Sequence, residues 1–106
     1  MLFGIPCETK IGEHRVAITP KSARELTSRK QTVLMQSGAG SGSGYTDDSE
    51  LSAGCQIAAT ADEVWGTADL IVKVKEPQPS EYGLIRENSA LFTFLRANPP
   101  TPVSPQ

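Results

Sequence analysis

The sequence predicts an α/β fold: a mostly parallel open sheet with short crossover helices, Rossmann-like in layout. Two observations carry this. From residue 2 to about residue 95, short apolar runs alternate with segments that bear helix-start chemistry. Strands separated by single short helices, in turn, pair in parallel through right-handed crossovers.

The elements follow in order. Leu2 to Ile5 is a compact apolar strand closed by Pro6, which cannot donate to a sheet ladder. A polar loop runs from Cys7 to Ile18, and Thr19-Pro20 then starts a helix, the hydroxyl capping free amides and the proline occupying the first turn. That helix is expected to reach about Lys30, with Ala23 and Leu26 facing inward. Thr32 to Gln36 reads as a buried strand because Val33, Leu34 and Met35 are consecutive apolar residues. The glycine-rich stretch SGAGSGSGYTDD follows, and Asp47 with Glu50 fits a reciprocal cap for a short helix that Gly54 ends. Gln56 to Ala58 is a weak strand, and Thr60 with Glu63 caps a helix carrying Val64 and Trp65. Asp69 to Val74 holds the strand LIVKV, stopped by Glu76-Pro77. One helical turn is expected around Tyr82 to Ile85, then a last strand, Ala90 to Leu95. Residues 1 to 96 therefore form one unit, and the proline-rich residues 97 to 106 are expected to be disordered.

Composition narrows the function classes. At 106 residues the chain holds one domain at most, and 10 Lys+Arg against 12 Asp+Glu give a net charge of −2. That balance gives no sequence-independent grip on nucleic acid, so no nucleic-acid partner is expected. No apolar run approaches the roughly 18 residues of a bilayer-spanning helix, and the start has no signal-peptide pattern, so neither membrane association nor export is expected. Cys7 and Cys55 stand far apart without metal-ligand spacing, and His14 is the single histidine, so no metal is expected and a cytoplasmic thiol pair is the simplest reading.

In an open parallel sheet, ligands sit beyond the carboxyl ends of the strands. Those ends carry one charge type: Lys10 and Arg15 after the first strand, Lys75 after LIVKV and Arg96 after ALFTFL. Converging in one crevice they would receive a small carboxylate; the alternative is that each is a solvated residue or pairs with Glu8, Glu13 or Glu76. The glycines at 38, 40, 42 and 44 resemble a phosphate-cradling loop, but no GxGxxG or GxxxxGK[ST] pattern overlays them, and Asp47 and Asp48 would oppose a pyrophosphate at the next helix's positive end. His14 has a side chain suited to general base work, yet a lone loop histidine beside an arginine is more often exposed and idle.

GIPCETKIGEHRVAITP resembles the opening of the alanine dehydrogenase and NAD(P) transhydrogenase α-subunit family, in which G-[I/V]-P-x-E leads to E-x-R-V-A-x-T-P. The likeness continues through the glycine-rich stretch, ADLIVKVKEP and ALFTFL, and KVKEP looks more like alanine dehydrogenase than transhydrogenase. It implies the first part of a substrate domain, to which a separate NAD-holding Rossmann domain is added in the family. It also implies that Arg15 and Lys75 hold the carboxylate and carbonyl oxygen of pyruvate or L-alanine in the reversible NAD-linked deamination of L-alanine. The family's catalytic histidine position is occupied by Arg96, always protonated and unable to act as a base, though able to bind a carboxylate. The likeness stops there, as a reading-frame shift or a truncated gene would leave it. The expectation is a chain with no cofactor site and no turnover of its own, associating with copies of itself or with a full-length enzyme. The alternatives are a small-carboxylate-binding or regulatory module, or a remnant without function. Lys30 stands where the family often has glycine at a helix end, and Gly12 where it often has asparagine.

Overall fold

The computed structural model describes residues 1–86 and 89–93. Five strands, β1 (Leu2–Ile5), β2 (Thr32–Gln36), β3 (Gln56–Ala58), β4 (Leu70–Lys73) and β5 (Ala90–Thr93), form one sheet in the order β3-β2-β1-β4-β5. Every pairing is parallel, with Phe3 opposite Val33 on one side and opposite Leu70 on the other. The expected α/β architecture is therefore present, and it is wholly parallel.

Three helices make the crossovers: α1 (Pro20–Ser28), α2 (Asp47–Ser52) and α3 (Ala61–Thr67). Side chains of α1 and the α2 end join Ile5, Val33, Met35 and Val72 in a core on one face of the sheet, while Val64 and Trp65 of α3 cover Ile71 on the other. This division follows from handedness: the chain moves one way across the sheet from β1 to β3, then back past β1 to β4, and right-handed crossovers in opposite directions need opposite faces. Gly4 allows the α3 face to close down, because a Cβ there would lie 2.9 Å from Val64 Cγ1.

Several local boundaries differ from expectation. The Thr19 cap forms, its hydroxyl accepting from the Ser22 amide, but α1 stops at Ser28 and not near Lys30. Two bonds close it: Lys30 N–H to Thr27 O at 3.0 Å and Gln31 N–H to Leu26 O at 3.1 Å, a Schellman ending that puts Lys30 at φ 65°. The cap of α2 is Thr46, accepting from Ser49 N–H, and not Asp47, whose carboxylate turns back to the preceding loop. The same Schellman ending closes α2 with Gly54 at φ 97°. The single turn expected around Tyr82 to Ile85 is a 3₁₀ segment at Pro79–Leu84. The expected last strand is described only to Thr93; its continuation to Leu95, the position Arg96 and the tail 97–106 lie outside the described residues.

Burial is uneven. β1 and β4 are central, whereas β5 is exposed at Leu91 (42%) and Phe92 (50%). Between α1 and the β1-β4-β5 face, a groove of about 400 Å³ is lined by Phe3, Leu26, Leu70, Val72 and Phe92.

The two Schellman endings give opposed substitutions. Lys30→Gly should raise stability by about 1 kcal/mol by relieving a left-handed conformation that a Cβ disfavours. Gly54→Ala should lower it by about 1–2 kcal/mol, since the new Cβ would also sit 2.8 Å from Thr27 Oγ1, which donates to Ala53 O. Urea midpoints of the two variants and the parent chain measure both.

Candidate functional site

The strand order reverses between β1 and β4, and the chain leaves these neighbours in opposite directions. After β1 it runs toward α1 on one face; after β4 it runs into the 3₁₀ segment, whose Leu84 packs on the α3 face. Two loops departing this way open a crevice at the carboxyl ends of the strands.

The crevice floor is built on ions. Lys73, the last residue of β4, is fully buried, and its ammonium meets Glu8 Oε1 at 3.0 Å and Glu81 Oε2 at 3.3 Å. Glu8 also accepts from the backbone amides of Val74 (2.9 Å) and Lys75 (3.2 Å), and Glu81 accepts from that of Gln78 (2.9 Å). The segment after β4 is thus pinned at both ends by two carboxylates that share a single lysine. Neither Lys73 nor Glu81 was among the residues expected from the sequence, although a lysine inside a strand buried on both faces calls for a counter-ion.

Of the cations expected at the strand ends, Lys10 pairs with Glu76 at 3.2 Å, both side chains about two-fifths exposed (40% and 42%). Arg15 is exposed and pairs with Glu13 through two bonds, Nε to Oε2 at 3.0 Å and Nη2 to Oε1 at 2.9 Å. The ion-pair alternative therefore holds for Lys10 and for one edge of Arg15. Lys75 is half-buried, and among the described residues its ammonium has no carboxylate at ion-pair distance. The Arg15 hydrogen bond, with smaller help from the Lys75 charge, holds the Glu13 carboxyl down at about 2. Lys75 acts on Glu76 in the same direction, after that residue's own backbone amide and Lys10. The Glu13 carboxyl thus lies within electrostatic reach of both Arg15 and, more weakly, Lys75.

A recess of about 160 Å³ beside Arg15 is lined by Cys7, Glu8, Glu13, His14 and Gly38. His14 is exposed, and its carbonyl accepts from Ser43 Oγ (3.2 Å), which itself accepts from Val16 N–H (3.2 Å). The glycine-rich loop therefore props the Glu13–Val16 turn from behind. Its own amides do not suit a dinucleotide: Asp47 accepts from Ser37 Oγ (2.6 Å) and Gly38 N–H (2.9 Å), and these bonds lower its carboxyl pKa. A fixed carboxylate occupies the place a phosphate would need, so the loop does not fit NAD.

The thiols are poor nucleophiles here. Burial, then the Asp47 charge, raises Cys7, and burial followed by Glu50 pushes Cys55 up to about 12.

A family model described as "Alanine dehydrogenase/PNT, N-terminal domain" matches residues 4–104. An alanine dehydrogenase of Mycobacterium tuberculosis (strain ATCC 25618 / H37Rv) is 56% identical over 95 residues, covering 90% of this chain and 26% of that protein. One from Bacillus subtilis (strain 168) is 44% identical over 95 residues, 90% of this chain and 25% of that protein. A solved L-alanine dehydrogenase superposes with a TM-score of 0.83 at 37% identity, over 90% of this chain and 26% of that one. A transhydrogenase from Sinorhizobium meliloti gives 0.82 at 30% identity, over 90% and 28%. The chain spans about a quarter of the length of these relatives.

The two lysines of KVK should respond differently to substitution. Lys73→Met leaves Glu8 and Glu81 buried without their cation and should cost about 3–5 kcal/mol, while Lys75→Met should stay within about 0.5 kcal/mol, as thermal unfolding at neutral pH will report. Glu13 adds an acid-side signature. Its folded pKa, about 2, lies below the ordinary 4.5, so its contribution is complete above about pH 4.5 and disappears as pH falls toward 2. Glu13→Gln should flatten the stability-against-pH curve across that window.

Proposed function

Because the chain belongs to the alanine dehydrogenase/PNT N-terminal domain family, we propose that it supplies the carboxylate-binding cations of an L-alanine dehydrogenase substrate site, with Arg15 and Lys75 in that role. What supports this is that Arg15 follows β1 and Lys75 follows β4, the neighbours between which the strand order reverses, and that the Glu13 carboxyl is within electrostatic reach of both. A guanidinium edge suits the two oxygens of a carboxylate, and an ammonium suits the single carbonyl oxygen of pyruvate.

In this reading the reaction is the reversible oxidative deamination of L-alanine to pyruvate and ammonia. Hydride leaves the α-carbon, for which NAD supplies the acceptor when bound, and a base near neutral pH takes a proton from the amino nitrogen. Water then adds to the resulting imine, its oxygen staying as the carbonyl of pyruvate while ammonia leaves. Arg15 and Lys75 hold the substrate still during that transfer. The NAD site belongs outside the described residues, because the glycine-rich loop is closed by Asp47. That same closure favours a second reading, in which the chain binds a small carboxylate without turning it over. Arg96, in either reading, cannot be the proton acceptor, because its guanidinium stays protonated. We place the protein in the cytoplasm, where its two free thiols stay reduced. The exposed β5 edge suits association with a full-length enzyme or with further copies of the chain.

Titration of the isotope-labelled chain with pyruvate, followed by amide NMR, tests the proposal. Millimolar pyruvate should shift the amides of Cys7–Val16 and of Val74–Glu76, and Arg15→Ala or Lys75→Ala should each weaken binding about tenfold or more. A parent chain whose spectrum does not move at millimolar pyruvate would overturn it.

A further inference from the structure

We infer that Glu13 is the positioning residue of this site: its buried carboxylate holds the inner edge of the Arg15 guanidinium so that the outer edge faces the crevice ready for a carboxylate. The inference rests on the reading of Arg15 as a substrate cation.

The geometry distinguishes positioning from competition. Glu13 takes the Nε and Nη2 side of the guanidinium. Nη1 and the second hydrogen of Nη2 make no hydrogen bond among the described residues, and together they form the other two-pronged edge that a carboxylate can accept. One arginine can therefore hold Glu13 behind and a ligand in front. Exposure agrees, for the Glu13 side chain is 6% accessible and that of Arg15 is 64%. The anion is the fixed base and the cation the projecting head. Glu13 Oε2 also accepts from the Arg15 backbone amide at 2.8 Å, so one carboxylate fixes the main chain and the side chain of the same residue. The turn is braced in addition by Ser43, which bonds both His14 O and Val16 N–H. A long, mobile side chain held in this way loses less freedom when a ligand arrives, which is how a neighbour that never touches the ligand raises affinity.

The test is a double-variant cycle on the whole chain with pyruvate as the probe. Glu13→Gln should weaken binding about tenfold in the parent background and by less than about twofold in Arg15→Lys, where no guanidinium remains to be aimed. Without any variant, the Arg15 Nε–H signal of the parent should be resolved and slow to exchange. Equal losses in both backgrounds would mean a structural role and overturn the inference. Unchanged or tighter binding in Glu13→Gln, with Arg15→Ala still weakened, would overturn it and leave the substrate-site reading standing. An Arg15 Nε–H signal averaged with those of the other arginines would also overturn it. Pyruvate binding absent from the parent chain would overturn both.

Discussion

The site depends on one buried lysine. Lys73 is fully buried with its ammonium between Glu8 and Glu81, and each carboxylate also accepts from backbone amides of the segment that carries Lys75, Glu8 from two and Glu81 from one. Removing three charges from water costs several kcal/mol per ion, and the mutual attraction offsets this only with good geometry and further hydrogen bonds. Those bonds are present. The arrangement joins residues 65 positions apart in sequence, so the loop after β1 and the loop after β4 cannot drift independently. A hydrophobic replacement could match its stability, but it could not direct amide hydrogens at a carboxylate. The pinning of the Val74–Gln78 segment is the part that only ions supply.

Much of the fold was legible in the sequence, and what was not follows a pattern. Short apolar runs mark the strands whether buried, as β4 is, or exposed, as β5 is, and all five lie where the sequence puts them, with β4 and the described part of β5 close to the expected bounds. Helix ends were harder because local side chains had two options. Asp47 and Thr46 both have an oxygen able to cap α2; the hydroxyl caps it, and the carboxylate is drawn to the loop amide and the Ser37 hydroxyl. Lys30 accepts a left-handed backbone for which no composition rule would choose lysine, because the Schellman bonds of α1 require it.

The site itself was legible by half. Position after a strand is enough to nominate Lys10, Arg15 and Lys75. It does not reveal which of them is already engaged, since that depends on long-range partners: Glu76 meets Lys10 across 66 positions, and Glu8 meets Lys73 rather than any of the three nominated cations. Of the carboxylates near these cations, Glu8 and Glu13 were visible in the sequence only as counter-ions, and Glu81 not at all. Their distinct functions come from burial: Glu8 and Glu81 hold backbone and lysine, whereas Glu13 holds an arginine that reaches solvent.

This division has an electrostatic consequence. Among the described residues around the two strand ends, Glu8, Glu13, Glu76 and Glu81 stand with Lys10, Arg15, Lys73 and Lys75, four of each sign. A small anion would then find little long-range attraction, because opposite charges a few ångströms apart cancel within the Debye length of roughly 8–10 Å. What remains to recognise it is donor geometry at short range: the outer edge of Arg15 and the ammonium of Lys75, which makes no ion pair among the described residues. Recognition of this kind favours shape and oxygen placement over charge alone. Under the proposed carboxylate-binding role, the neighbouring carboxylates are an asset, since each restrains a cation, or the backbone beneath one, without using all of its donors.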